Sequence, residues 1–194
     1  MRILMLGNSF TYFHDLPAQL AQLTGAEVVQ HTRGGARLAE QLNPETEMGA
    51  RTLAALREQK WDYVVLQEQS NAPITSQNSF FASVAQLATL IRAAGAAPVL
   101  YATWAYQRDG ARLKEFGMDY EEMYRQMTDA YHEAARRSDC LVADVGVRFH
   151  ELADTLALYE PADASHPSET GTRVAAEVIA ETIRSAEEKR NAAR

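Results

Sequence analysis

The chain has 194 residues, 46% hydrophobic and 23% charged, a balance that fits one globular domain with a sizeable core and excludes a disordered or lipid-buried polypeptide. Its formal charge of −7 argues against a nucleic-acid partner, since polyanions are bound by clustered cations. Cys140, the single cysteine, excludes an internal disulfide and disfavours a cysteine-built metal cluster; its apolar surroundings read as strand filler.

Ile3 to Leu6 is an apolar run that predicts a strand buried on both faces, ended by Gly7, where the backbone can turn sharply. The run is too short for a signal peptide, and no later run reaches membrane-spanning length. The cytoplasm is therefore the default expectation, although a chain trimmed of its leader reads the same way. Asn8 and Ser9 fall just past the strand's carboxyl end, on the rim where open α/β sheets bind ligands. Alone, Ser9 reads as a cap.

A helix is predicted from Asp15 to Thr24, with Asp15 as cap and Pro17 in its first turn, ended by Gly25. Glu27 to Gln30 reads as a second strand, and the Gly34-Gly35 pair beyond it implies a tight turn or a close backbone approach. A helix over Met48 to Gln59 precedes a third strand, Trp61 to Leu66, rich in β-branched and aromatic residues. That strand runs into Gln67-Glu68-Gln69; if extended geometry continues, Gln67 and Gln69 emerge on one face at the carboxyl rim.

Ser79 to Ala94 reads as a helix and Pro98 to Thr103 as a fourth strand, after which Trp104 and Tyr106 could wall a site or simply anchor the loop. Asp119 to Arg137 is the longest periodic helix, with Tyr120, Met123, Met127 and Tyr131 on a core stripe and acidic residues suited to the positive end of its dipole. Cys140 to Val145 is the fifth strand. Ser168 is a candidate cap for the last helix, and residues 186–194 form a charged tail expected to fray. Residues 1–185 read as one domain. Five strands alternating with helices imply a three-layer α/β/α sandwich whose parallel sheet has the flavodoxin-like order 2-1-3-4-5.

Asp163 and His166, three residues apart and flanked by Pro161 and Pro167, belong to a loop. They supply what a serine hydroxyl lacks at neutral pH: an imidazole to take its proton and a carboxylate to fix that ring's tautomer. Asp-x-x-His alone is a weak signal. His14 could line a pocket, pack or cap, whereas His31, His132 and His150 show no metal-ligand spacing, so neither a metal nor another cofactor is expected.

With Gly7-Asn8-Ser9 at one end and Asp163-x-x-His166 at the other, the chain resembles the SGNH (GDSL-type) hydrolases over its whole length. It is most similar to the branch of carbohydrate-esterase-like and uncharacterised members whose third block carries glutamines. The resemblance implies Ser9 as nucleophile, His166 as general base and Asp163 as its orienting partner. It also implies an oxyanion hole from the backbone N–H groups of Ser9 and Gly35, with Gly34 as the alternative, and a side-chain amide. Where the family has Gly-x-Asn, this chain offers Gln69, or else Gln67. Asn8, Trp104 and Tyr106 are candidate substrate contacts. The implied activity is hydrolysis of a small acyl ester, acetyl in particular, on a small molecule or carbohydrate. A lipid- or thioester-directed hydrolase and a non-catalytic flavodoxin-like binding module are the rival readings. The oligomeric state leaves no trace in the sequence.

Overall fold

Strand β1 (Arg2–Gly7) lies inside a five-stranded parallel sheet of order β2-β1-β3-β4-β5 in the computed structural model, which describes residues 1–193. Its partners are β2 (Glu27–Thr32) and β3 (Tyr63–Leu66), with Ile3 opposite both Val28 and Tyr63; β4 (Ala97–Tyr101) and β5 (Leu141–Ala143) complete the sheet. The order expected from the alternating pattern is the order found. Pro98 lies in β4, just before the first residue paired with β5, so its missing N–H removes no ladder bond on that side.

The period of two along the strands sorts the core into two layers. Leu4, Leu6, Val64, Leu66 and Leu100 face helices α4 (Glu47–Glu58), α6 (Gln77–Ala93) and α8 (Tyr120–Ser138). Ile3, Met5, Tyr63, Val65, Val99 and Tyr101 face α2 (Leu16–Thr24), α9 (Val145–Leu152) and α10 (Glu169–Ala192). Short helices α1 (Ser9–Tyr12), α3 (Leu38–Gln41), α5 (Ala72–Thr75) and α7 (Ala111–Phe116) occupy the carboxyl-side loops.

Two expectations change at helix ends. Asp15 precedes α2 but makes no side-chain cap, because its backbone sits in the left-handed region at φ 53°. The charged tail does not leave the fold after Ser185: α10 continues to Ala192, and Tyr63 Oη donates to Glu187 Oε1 at 2.6 Å. Ser168 Oγ caps α10 by accepting the Gly171 N–H at 3.1 Å. Cys140 lies half-buried ahead of β5, and burial pushes its thiol up to about 11. Among the described residues, no helix is long and apolar enough to cross a membrane.

β1 connects to β2 on one side of the sheet, and the rest of the chain builds outward from β3 on the other. The strand order therefore reverses at β1 and β3, and such a switch point opens a crevice at the carboxyl ends. Ser9 follows β1 directly into that crevice.

Candidate active site

The turn carrying Ser9 is fixed by neighbours from both adjoining rims. Asn8 caps α1, its Oδ1 accepting the Phe10 N–H at 3.1 Å, while its Nδ2 donates to the Ala36 carbonyl at 3.0 Å beyond β2. From the β3 side, Gln67 Oε1 accepts the Asn8 N–H at 2.8 Å and the Thr11 hydroxyl at 3.0 Å. Only glycine fits beneath this crossing, because a Cβ on Gly7 would lie 2.3 Å from Thr11 Oγ1 and 2.6 Å from Gln67 Oε1.

The loop with the second block is closed on itself. Tyr159 and Pro167 form an antiparallel bridge, the Glu160 N–H donates to the His166 carbonyl at 2.9 Å, and the Ala164 N–H donates to the Glu160 carbonyl at 2.9 Å. Asp163 Oδ1 accepts the backbone N–H groups of His166 and Ser165, both at 2.8 Å, and Oδ2 accepts His166 Nδ1–H at 2.5 Å. Burial pushes this carboxyl up, but the His166 and Ser165 bonds and the imidazole charge outweigh it and hold it at about 2. With Nδ1–H held by Asp163, His166 Nε2 carries the lone pair and lies 2.8 Å from Ser9 Oγ. The structure thus brings Ser9, His166 and Asp163 into one hydrogen-bonded chain across 157 residues.

A pocket of about 430 Å³ opens over Ser9 and His166. Gly35 and Gln69 line it, together with Asn8 and Ser70. The Ala36 N–H closes a turn on the Arg33 carbonyl at 3.0 Å, and Gly35 takes the left-handed third position at φ 69°, which an L side chain disfavours. Glu68, buried behind the pocket, joins two rims: its Oε1 accepts the Gln69 N–H at 2.6 Å and the Leu38 N–H at 3.3 Å. Burial raises its pKa against the pull of those two donors.

Several expected contacts fall elsewhere. Gln67 is fully buried and absent from the pocket wall; its Oε1 holds the Ser9 turn and its Nε2 donates to the Glu68 carbonyl, so both its polar atoms are engaged beneath the turn. The reason is that β3 ends at Leu66, and the strand alternation that would align Gln67 with Gln69 ends there. Trp104 does not wall the pocket: it is buried between Phe10 and Phe149, stacked at 4.8 and 4.0 Å, with Nε1–H on the Ser165 carbonyl. Tyr106 is buried too, its hydroxyl 2.9 Å from Ser70 Oγ. Asn8 lines the pocket, but both its side-chain polar atoms are engaged by the protein.

Other residues at the site carried no sequence signal. Arg112 and Glu115 of α7 form the wall that includes Ala111, and Phe13 stacks on the His166 ring at 4.4 Å. His14 lies outside the pocket lining and donates from Nε2 to Glu160 Oε1 at 2.6 Å. The remaining histidines lie away from the site: His132 pairs with Asp144, His150 with Glu121, and His31 with Thr52.

A model of the GDSL-like Lipase/Acylhydrolase family matches residues 5–174. None of the curated proteins matches the chain. Among solved structures, it is similar to a candidate SGNH hydrolase from Slackia heliotrinireducens, with 49% identity over 94% of this chain and 98% of that one and a TM-score of 0.90. A DUF4886 family protein from Bacteroides uniformis is 21% identical over 94% and 82% of the two chains, with a TM-score of 0.71. Axe2, an acetylxylan esterase from Geobacillus stearothermophilus, is 15% identical over 94% and 93%, with a TM-score of 0.68. At those last two identities the likeness is one of fold.

Proposed function

Because the chain belongs to the GDSL-like lipase/acylhydrolase family, the SGNH hydrolases, and is thus an esterase-type hydrolase, we propose that it removes a small acyl group, acetyl above all, from a carbohydrate through an acyl-enzyme on Ser9. The observation that carries this reading is the chain of bonds from Ser9 Oγ to His166 Nε2 and from His166 Nδ1 to Asp163 Oδ2, at 2.8 and 2.5 Å.

In this reading the Ser9 hydroxyl attacks the ester carbonyl as His166 Nε2 takes its proton, and Asp163 stabilises the imidazolium. The oxyanion is met by the N–H groups of Ser9 and Gly35 and by the Gln69 amide, whose Nε2 donates one hydrogen to Ser70 Oγ at 3.0 Å and has a second to give. His166 then protonates the departing alcohol. A water, deprotonated by the same nitrogen, releases the acid and restores Ser9.

The wall favours a hydroxyl-rich alcohol over a long acyl chain. Gln69, Ser70, Arg112, Glu115 and Ser165 supply donors and acceptors, whereas Phe10 is the one large apolar side chain among the lining residues. The test pairs fluorophosphonate labelling with hydrolysis of acetylated xylooligosaccharides and of nitrophenyl esters of increasing chain length. Expected are labelling abolished by Ser9→Ala and a preference for acetyl. An unlabelled wild-type protein would support a binding module, and a preference for long chains would support a lipid-directed enzyme.

A further inference from the structure

We propose that Phe13, His14 and Glu160 form a clamp that positions His166, an inference that rests on the acyl-transfer reading and assigns to that site residues that lie outside the pocket lining. The segment between α1 and α2 is strained: His14 and Asp15 are consecutive non-glycine residues in the left-handed region, at φ 46° and 53°. Such residues are disfavoured and persist only where surrounding contacts over-determine them.

Those contacts converge on the base. Phe13 lies face to face with the His166 ring, 4.4 Å between centroids at an interplanar angle of 21°, and Phe10 meets the same ring edge-on at 5.3 Å. The imidazole thereby contacts two phenyl groups, and Phe10 continues through Trp104 to Phe149 in the core. His14 reaches past the ring to Glu160 at 2.6 Å, and Glu160 belongs to the loop that holds the base, its N–H on the His166 carbonyl and its carbonyl receiving Ala164. Gln19 Nε2 donates to the His14 carbonyl at 2.8 Å and steadies the strained residue from α2.

Without the left-handed pair, the chain leaving α1 could not present Phe13 to the ring and His14 to Glu160 at once. The strain is thus coupled to one ring stack and one hydrogen bond between the nucleophile's segment and the base's loop, at sequence separations of 153 and 146. The clamp fixes the His166 ring plane and its distance from Ser9; small misplacements of a reacting group cost up to about 10²-fold in rate.

The experiment uses the full chain and the variants Phe13→Leu, His14→Ala, Glu160→Ala and His14→Ala/Glu160→Ala, with competent sites counted by end-point fluorophosphonate labelling. On nitrophenyl acetate, each single variant is expected to lower kcat per labelled site about tenfold with KM within about twofold. The double variant is expected to be no slower than its slower parent, because both changes open the same clamp. Phe13→Tyr and Glu160→Gln, which keep a stacking ring and an acceptor, should recover most of the rate. Wild-type kcat per site in the single variants, or losses that multiply in the double variant, would overturn the clamp. If His14→Ala fails to fold, Phe13→Leu, which leaves the pair with Glu160 intact, makes the same comparison. A wild-type protein that takes no label would sink the esterase reading itself, a result separable from a labelled enzyme indifferent to these substitutions.

Discussion

Gln67 Oε1 accepts the backbone N–H of Asn8 at 2.8 Å, so the nucleophile's turn hangs from the end of β3 by a buried side chain. Two glutamines two residues apart therefore have different work, one beneath the turn and one at the pocket.

That difference is measurable. Gln67→Leu leaves the Asn8 N–H and the Thr11 hydroxyl without their acceptor, and is expected to cost about 2–4 kcal/mol in denaturant unfolding. Gln69→Ala should leave the unfolding midpoint nearly unchanged and lower kcat about 10²–10³-fold, as expected for losing an oxyanion donor. The reverse pattern would exchange their roles.

Gly7→Ala tests the crossing from the other side. Its methyl group would need the space held by Thr11 Oγ1 and Gln67 Oε1, so stability should fall by about 1–3 kcal/mol. Ser9 should be displaced as well, with slower fluorophosphonate labelling of the folded protein. An unchanged melting temperature would show that Thr11 and Gln67 yield easily.

Asp163 sets an acid-side expectation. Its carboxyl sits at about 2 in the fold against 3.8 as the ordinary value. Its contribution to stability is thus fully present above about pH 4 and lost as pH falls through about 2. Asp163→Asn should remove that dependence and lower kcat about 10³–10⁴-fold, because the amide cannot hold the productive tautomer of His166. Melting curves from pH 2 to 7 and kcat at neutral pH check both.

His31 sets a second window. Burial, aided by the charge of Arg51, depresses its imidazole to about 4. The unfolded chain takes up that proton near pH 6.5, so between these values the unfolded state holds more protons and stability declines as pH falls. His31→Gln, which can still donate to Thr52, should flatten the melting temperature between about pH 4 and 6.5. A slope identical to wild type would place the dependence on another group.

The sheet was legible because its strands are short apolar runs separated by helices with clear stripes, and that alternation admits few topologies. Ser9, Asp163 and His166 stood out only together, because Gly7-Asn8-Ser9 and Asp163-x-x-His166 fall at opposite ends of the chain in the order that the resemblance supplies; each block alone has an ordinary structural reading. Gln67 was ambiguous because strand alternation ends at Leu66, and where a strand stops depends on what packs above its end. Trp104 and Tyr106 follow β4 into covered positions, the former beneath Phe10 and Phe149, and such coverage comes from segments far away in the chain. Phe13 and His14 left no pattern at all. His14 and Asp15, left-handed in succession, break every periodicity that marks an element.

The sequence separation of 157 between Ser9 and His166 has a consequence during biosynthesis. At roughly 5–20 residues per second, the hydroxyl leaves the ribosome about 8–30 s before its imidazole partner does. Until the final loop docks, a nascent chain displays an inert alcohol, and a product halted anywhere before residue 166 stays chemically silent toward esters around it.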